Sequence, residues 1–222
     1  SKAMFDNDST TYYTSGNGQN TGDWIGADLG CVRQVSEVRI LQGRNSVDDV
    51  DYFDNTVLEY SVDRKEWKAL TGELKKQYII NWKTDSPVEA RYIRIKKLKS
   101  DKRNWAAVRT FEVNPTTPER LNFPVEADNL EAAMYGFDEN PCTSFTNKGT
   151  LTMGIEKDVK SYTLLLKLAP GKSLVCRQLN AKGKVLATTT IDSSFCKVEL
   201  VKKAAKLQIE GSAEIFEIIP EK

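Results

Sequence analysis

The residues able to do chemistry in this chain are few, and one type is missing. There is no histidine in 222 residues, which removes Ser-His-Asp and Cys-His nucleophile arrangements and the usual histidine-bearing zinc sites. Carboxylate chemistry stays open. Asp48-Asp49 opens an acidic stretch running to Asp54-Asn55, but adjacent carboxylates in a polar loop read as solvated surface rather than an acid and a base set across a bond. Asp6 and Asp8, followed by Thr10 and Thr11, have the spacing of half an EF-hand loop without its glycine or closing glutamate. Without them the EF-hand reading is poor, and Asx turns account for the two aspartates. Cys31, Cys142, Cys176 and Cys196 contain no CxxC pair, so thioredoxin-like and zinc-ribbon chemistry is excluded. Cys176 and Cys196 fit either a disulfide or two buried free thiols.

Composition narrows the partners. Thirty-two basic against 31 acidic residues leave a net charge of +1, with no general attraction for nucleic acid or an anionic membrane. The basic run Arg94 to Arg103 has Ile93 and Ile95 on one face of a strand and Arg94 and Lys96 on the other, the pattern of a solvated sheet face. No apolar run approaches the roughly 20 residues of a membrane span.

The elements that must position these groups are strands. Val35 to Leu41, Val57 to Val62 and Tyr92 to Ile95 alternate apolar and polar residues, as half-buried antiparallel strands do. Turn signals stand at Ser15-Gly16-Asn17-Gly18, Asp63-Arg64-Lys65 and Asp85-Ser86-Pro87. Asn114-Pro115-Thr116-Thr117-Pro118 reads as an extended linker closed to helix. Beyond it, Asp128 to Met134 suits a short helical turn or a loop. Strands then resume at Ser161 to Leu168, Lys184 to Thr188, Lys197 to Leu200 and Lys206 to Ile209. The expectation is an all-β chain of two domains, 1–115 and 116–222. Phe5-Asp6-Asn7-Asp8 with Thr11 and Tyr13, set beside Phe137-Asp138-Glu139-Asn140 with Thr143 and Phe145, reads as a diverged repeat.

Several pieces in order carry a family resemblance: Asp6 to Tyr13, Ala27-Asp28-Leu29-Gly30, Tyr60-Ser61-Val62-Asp63-Arg64-Lys65-Glu66-Trp67, Ala90-Arg91-Tyr92-Ile93-Arg94-Ile95 and Val108-Arg109-Thr110-Phe111-Glu112-Val113-Asn114. Together they resemble the discoidin, or coagulation factor type C, domain, whose β-sandwich is shared by carbohydrate-binding modules of bacterial glycosidases. Ile40-Leu41-Gln42-Gly43 and Asp51-Tyr52-Phe53-Asp54-Asn55 are most similar to modules of β-N-acetylglucosaminidases and hyaluronidase-like enzymes. The resemblance implies a jelly-roll sandwich (galactose-binding-domain-like) that lacks its first strand, followed by a smaller second sandwich. It implies a non-catalytic glycan-binding region of a secreted or periplasmic bacterial glycosidase. Its partners would be terminal galactose or N-acetylhexosamine and the catalytic domain of the same polypeptide. The rival is a structural or protein-docking module without a sugar site.

The family site implies an aromatic platform and a few polar groups in loops at one end of the sandwich. Tyr13, Trp24, Tyr52, Phe53, Trp82 and Trp105 are the stacking candidates, with Arg44, Asn45, Asp51, Asn81, Arg103 and Asn104 for hydroxyls. Trp67 is expected in the core, and of the two readings of Trp24 the core is preferred. A structural Ca²⁺ is implied in the opening loop, held by Asp8, Thr11 and the carbonyls of Phe5 and Thr10; the family's glutamate falls on Thr110. In the second half Asn140, Thr143 and Glu217 occupy the corresponding places.

Overall fold

The computed structural model describes residues 2–6, 8–16, 18–44, 51–100 and 105–222. Contacts divide the chain into two compact units, Ser1–Pro115 and Thr116–Lys222. In the first, β1 (Tyr13–Thr14), β2 (Trp24–Gln42), β3 (Thr56–Ser61), β4 (Lys68–Ala69), β5 (Ile79–Lys97) and β6 (Ala107–Val113) form an antiparallel sheet in the order β1-β6-β2-β5-β3-β4. Two 19-residue strands hold it together. The first half of β2 pairs with the second half of β5, which also pairs with β3; the second half of β2 pairs with the start of β5 and with β6. Register breaks between Asp28 and Arg33 and between Val35 and Glu37 separate the halves. Strands that switch layers through such irregularities make the corners of a sandwich. The expected turn at Asp85-Ser86-Pro87 is therefore a bend inside β5, where an interrupted ladder tolerates a proline.

Alternation builds the core. Ile25, Ala27, Leu58, Ile93 and Ile95 come from one layer, and Val38, Ile40, Ile80, Phe111 and Val113 from the other; all are buried. Full burial of each large side chain stabilises by about 1.5–3 kcal/mol.

The second unit contains β7 (Val125–Glu126), a one-turn helix α1 (Leu130–Ala133), β8 (Phe145–Asn147), β9 (Thr150–Gly154), β10 (Ser161–Lys167), β11 (Leu174–Leu179), β12 (Val185–Ile191), β13 (Phe195–Glu199), β14 (Lys206–Glu210) and β15 (Ala213–Glu221). Asn129 caps α1 by accepting a hydrogen bond from the Ala132 N–H at 3.0 Å. The sheets run β13-β10-β15-β8 and β12-β11-β14-β9-β7. This is the first unit's connectivity in the same chain order, with each long strand cut in two. β9 and β10 take the places of the halves of β2, β13 and β14 those of β5, and β15 that of β6. The core between the sheets includes Leu151, Tyr162, Leu164, Leu207 and Ile215. The segment expected to exclude helix is non-helical through Thr117, and a 3-10 turn, Pro118–Arg120, begins at its last residue, where proline's fixed φ suits a first helical position.

Candidate binding site at the loop end

Hydrogen bonds bring the described parts of three loops together at one end of the first unit. Ser15 N–H donates to the Ala106 carbonyl at 3.0 Å, and Ser15 Oγ accepts from Ala106 N–H at 2.9 Å. Gln19 is nearly inaccessible, and its Nε2 donates to the carbonyls of Tyr52 (3.1 Å) and Trp105 (2.6 Å). Lys97 is fully buried; its Nζ donates to Gln19 Oε1 at 3.0 Å and to the Asp54 carbonyl at 2.7 Å, 5.6 Å from the Phe53 ring. Gln42, also fully buried, accepts the Phe53 N–H on its Oε1 at 2.9 Å.

Over this frame lies a cleft of about 380 Å³, lined by Tyr13, Ser15, Gln19, Asn20, Asp23, Trp24 and Phe53. Its volume falls within the range of small-ligand sites. Trp24 is 47% exposed, with the Arg64 guanidinium 5.6 Å from its ring centroid. The expectation that Trp24 is core fails on strand parity: Ile25, Ala27 and Leu29 point inward, so Trp24, Gly26 and Asp28 face out. Trp67 is likewise half-buried on the outer face, its ring 3.5 Å from the Arg94 guanidinium, which pairs with Glu59 at 2.7 Å. Gly26 keeps that face flat, since a Cβ there would lie 2.3 Å from the Ile93 carbonyl.

The remaining candidates divide. Tyr13 and Phe53 line the cleft, although Phe53 itself is buried. Tyr52 is buried against Tyr78, ring centroids 4.3 Å apart. Arg44 pairs with Asp51 at 2.6 Å, 6.0 Å from the ring of Trp105, which is 38% exposed. Trp82 and Asn81 lie along β5 opposite Val38 and Arg39, away from the loop end; half-buried Trp82 shares the inward face with Val38. Asn45, Asp48, Asp49, Arg103 and Asn104 lie outside the described residues. Gln19 and Lys97 were not anticipated. The one available signal was parity, since Lys97 falls on the face of Ile93 and Ile95.

The two opening loops share one hydrogen-bond pattern. In the first, Asp6 Oδ1 accepts from Asp8 N–H (3.0 Å), Asp6 Oδ2 from the Thr11 hydroxyl (2.8 Å) and Asp8 Oδ1 from Thr10 N–H (2.8 Å). In the second, Asp138 Oδ1 accepts from Asn140 N–H (3.0 Å), Asp138 Oδ2 from the Thr143 hydroxyl (2.8 Å) and Asn140 Oδ1 from Cys142 N–H (3.1 Å). Burial separates them. Asp6, Asp8 and Thr10 are exposed, and the Thr10 hydroxyl and N–H hold Asp8 below the usual aspartate range. Asp138, Asn140, Thr143 and Glu217 are all at most 3% exposed.

A calcium site fits the two loops unequally. Extending the pairing of β1 with β6 puts Thr110 opposite Thr11, and extending that of β8 with β15 puts Glu217 opposite Thr143. The first loop therefore faces a hydroxyl residue where a hard cation wants a carboxylate. The second offers buried oxygens from Asp138, Asn140, Thr143 and Glu217. Buried Asn140 Nδ2 has no hydrogen-bond partner among the described residues; as an N–H donor it is satisfied by a water and not by a cation. No group of three or more His, Cys, Asp or Glu able to hold a metal occurs among the described residues, so such a site would rest on mixed oxygen donors.

Residues 1–113 match the family profile described as F5/8 type C domain. No curated protein matches the chain. Among solved structures, a family 32 carbohydrate-binding module from a family 31 glycoside hydrolase of Clostridium perfringens is 13% identical; the match covers 50% of this chain and 82% of that one at a TM-score of 0.41. The family 32 module of C. perfringens NanJ, in complex with galactose, is 17% identical over 50% of this chain and 81% of its own, TM-score 0.41. The paired family 32 modules of C. perfringens ZmpB, in complex with GalNAc, are 9% identical and cover 99% of this chain and 86% of their own, TM-score 0.41.

Proposed function

The chain belongs to the F5/8 type C domain family, and on that premise we propose that its first unit holds glycan and performs no catalysis. The observation that carries this is the cleft walled by Tyr13 and Trp24 above the Gln19–Lys97 frame. The apolar face of a sugar ring stacks on an indole or phenol, and Asn20 and Asp23, exposed at the rim, meet its hydroxyls. Gln19 spends its amide on protein carbonyls and Lys97, so it positions the loops. Galactose and N-acetylhexosamine are the sugars to test first. The wider reading is a glycan-targeting region of a secreted or periplasmic bacterial glycosidase of β-N-acetylhexosaminidase or hyaluronidase-like type, acting with the catalytic domain of the same polypeptide. The second unit is proposed as a degenerate copy of the first, with a structural Ca²⁺ placed in its buried loop.

One shallow cleft should bind with a Kd of about 0.1–1 mM. Titration calorimetry with galactose and N-acetylglucosamine tests it. Trp24→Ala, which removes an exposed ring, should abolish detectable binding while leaving the unfolding transition in place. Binding that survives Trp24→Ala and Tyr13→Ala together would move the site elsewhere. No binding to any glycan at high protein concentration would favour the structural module, for which the engagement of Arg44 by Asp51 already speaks.

A further inference from the structure

A sheet edge is a row of backbone donors and acceptors open to another strand, and folded proteins shorten, charge or cover it. Most edges here follow that rule. β1, β4 and β7 have two residues and β8 has three. β13 carries Lys197, paired with Glu199 and Glu221 at 3.1 Å each. β12 follows it only through one register shift against β11 at Leu186. It is seven residues, Val-Leu-Ala-Thr-Thr-Thr-Ile, with no charge and no proline, at the edge of a five-stranded sheet. Val185 is 46% exposed and Leu186 37%. Its topological counterpart, β4, is the two-residue Lys68–Ala69.

We propose that β12 is a self-association edge, pairing antiparallel with β12 of a second copy of this chain. Charge selects the occupant and the register. The strand is preceded by Lys184 and followed by Asp192, both exposed. With Thr188 on the two-fold axis, Lys184 of each copy lies opposite Asp192 of the other, Val185 opposite Ile191 and Leu186 opposite Thr190. Opposite charges and β-branched pairs across strands are favourable. A parallel arrangement in the same register would set lysine against lysine and aspartate against aspartate. The contact is isologous, as a closed dimer requires, and it is independent of the glycan reading.

Sedimentation velocity on the full chain from about 1 to 500 μM tests the edge, with a dimer Kd of about 10–100 μM expected for a contact this small. Thr188→Lys puts two like charges on the axis and should weaken dimerisation at least about tenfold. Lys184→Asp should weaken it about tenfold, and adding Asp192→Lys should restore it to within about twofold. Circular dichroism confirms that each variant folds, and the charge exchange decides the matter if Thr188→Lys does not. A chain that stays monomeric throughout, or a dimer indifferent to Thr188→Lys and to the charge reversal, overturns the proposal.

Discussion

Asp6 and Asp138 make the same pair of hydrogen bonds, to the N–H two residues on and to the threonine hydroxyl five residues on, yet one is bathed in solvent and the other is 3% exposed. The difference lies in what surrounds each loop. The second loop closes under a strand carrying buried Glu217, whereas the first faces Thr110. One local geometry thus serves as a surface turn in one unit and as a buried polar cluster in the other. Burial, not hydrogen-bond count, decides what the loop is worth, because a partner lost in the interior leaves a desolvated group behind.

The largest expected effect is on stability. Asp138→Ala strands the Asn140 N–H in a buried site, the Thr143 hydroxyl keeping the Asn140 carbonyl at 2.6 Å, and should cost about 2 kcal/mol in urea unfolding. Asp6→Ala, where water replaces the carboxylate, should cost less than about 1 kcal/mol. Equal losses would break the comparison. Calcium sharpens it. At about ten times its dissociation constant a bound ion adds about 1.4 kcal/mol, so calcium should raise the melting temperature and Glu217→Gln should remove the rise. If the missing carboxylate is what disables the first loop, Thr110→Glu should add a second calcium-dependent increment. A smaller effect separates the thiols. None of the four is in a disulfide, Cys31 is exposed and Cys176 buried, and burial pushes the Cys176 thiol up to about 12. Cys176 stays protonated through neutral and mildly alkaline pH, so a maleimide at pH 7.5 should label Cys31 and reach Cys176 only after unfolding. Equal labelling rates in the folded chain would contradict the packing of β11.

Period-two alternation made several strands of each unit readable, because a half-buried sheet writes its two faces into successive residues, while β9, β11 and β15 went unread. The continuous course of β5 was not readable: Asp85-Ser86-Pro87 has the composition of a turn, and only pairing with β2 shows that the chain bends there without leaving the sheet. Trp24 and Trp67 were misplaced for a related reason. Tryptophan's apolar bulk suggests burial, while parity with Ile25 and Ala27 sends Trp24 outward. The cleft was legible only in part. Tyr13 and Phe53 could be singled out as loop aromatics, but Gln19 and Lys97 gain their roles from carbonyls brought in from distant loops, which no local pattern encodes.

Gln19 and Lys97 tie segments around residues 19, 52–54 and 105 together before any sugar arrives. Loops already ordered have little conformational freedom left to surrender. Whatever grip the cleft has on glycan should therefore come with a small entropic loss from the protein. Cutting the tie with Gln19→Ala would weaken that grip through entropy, with no ligand contact removed.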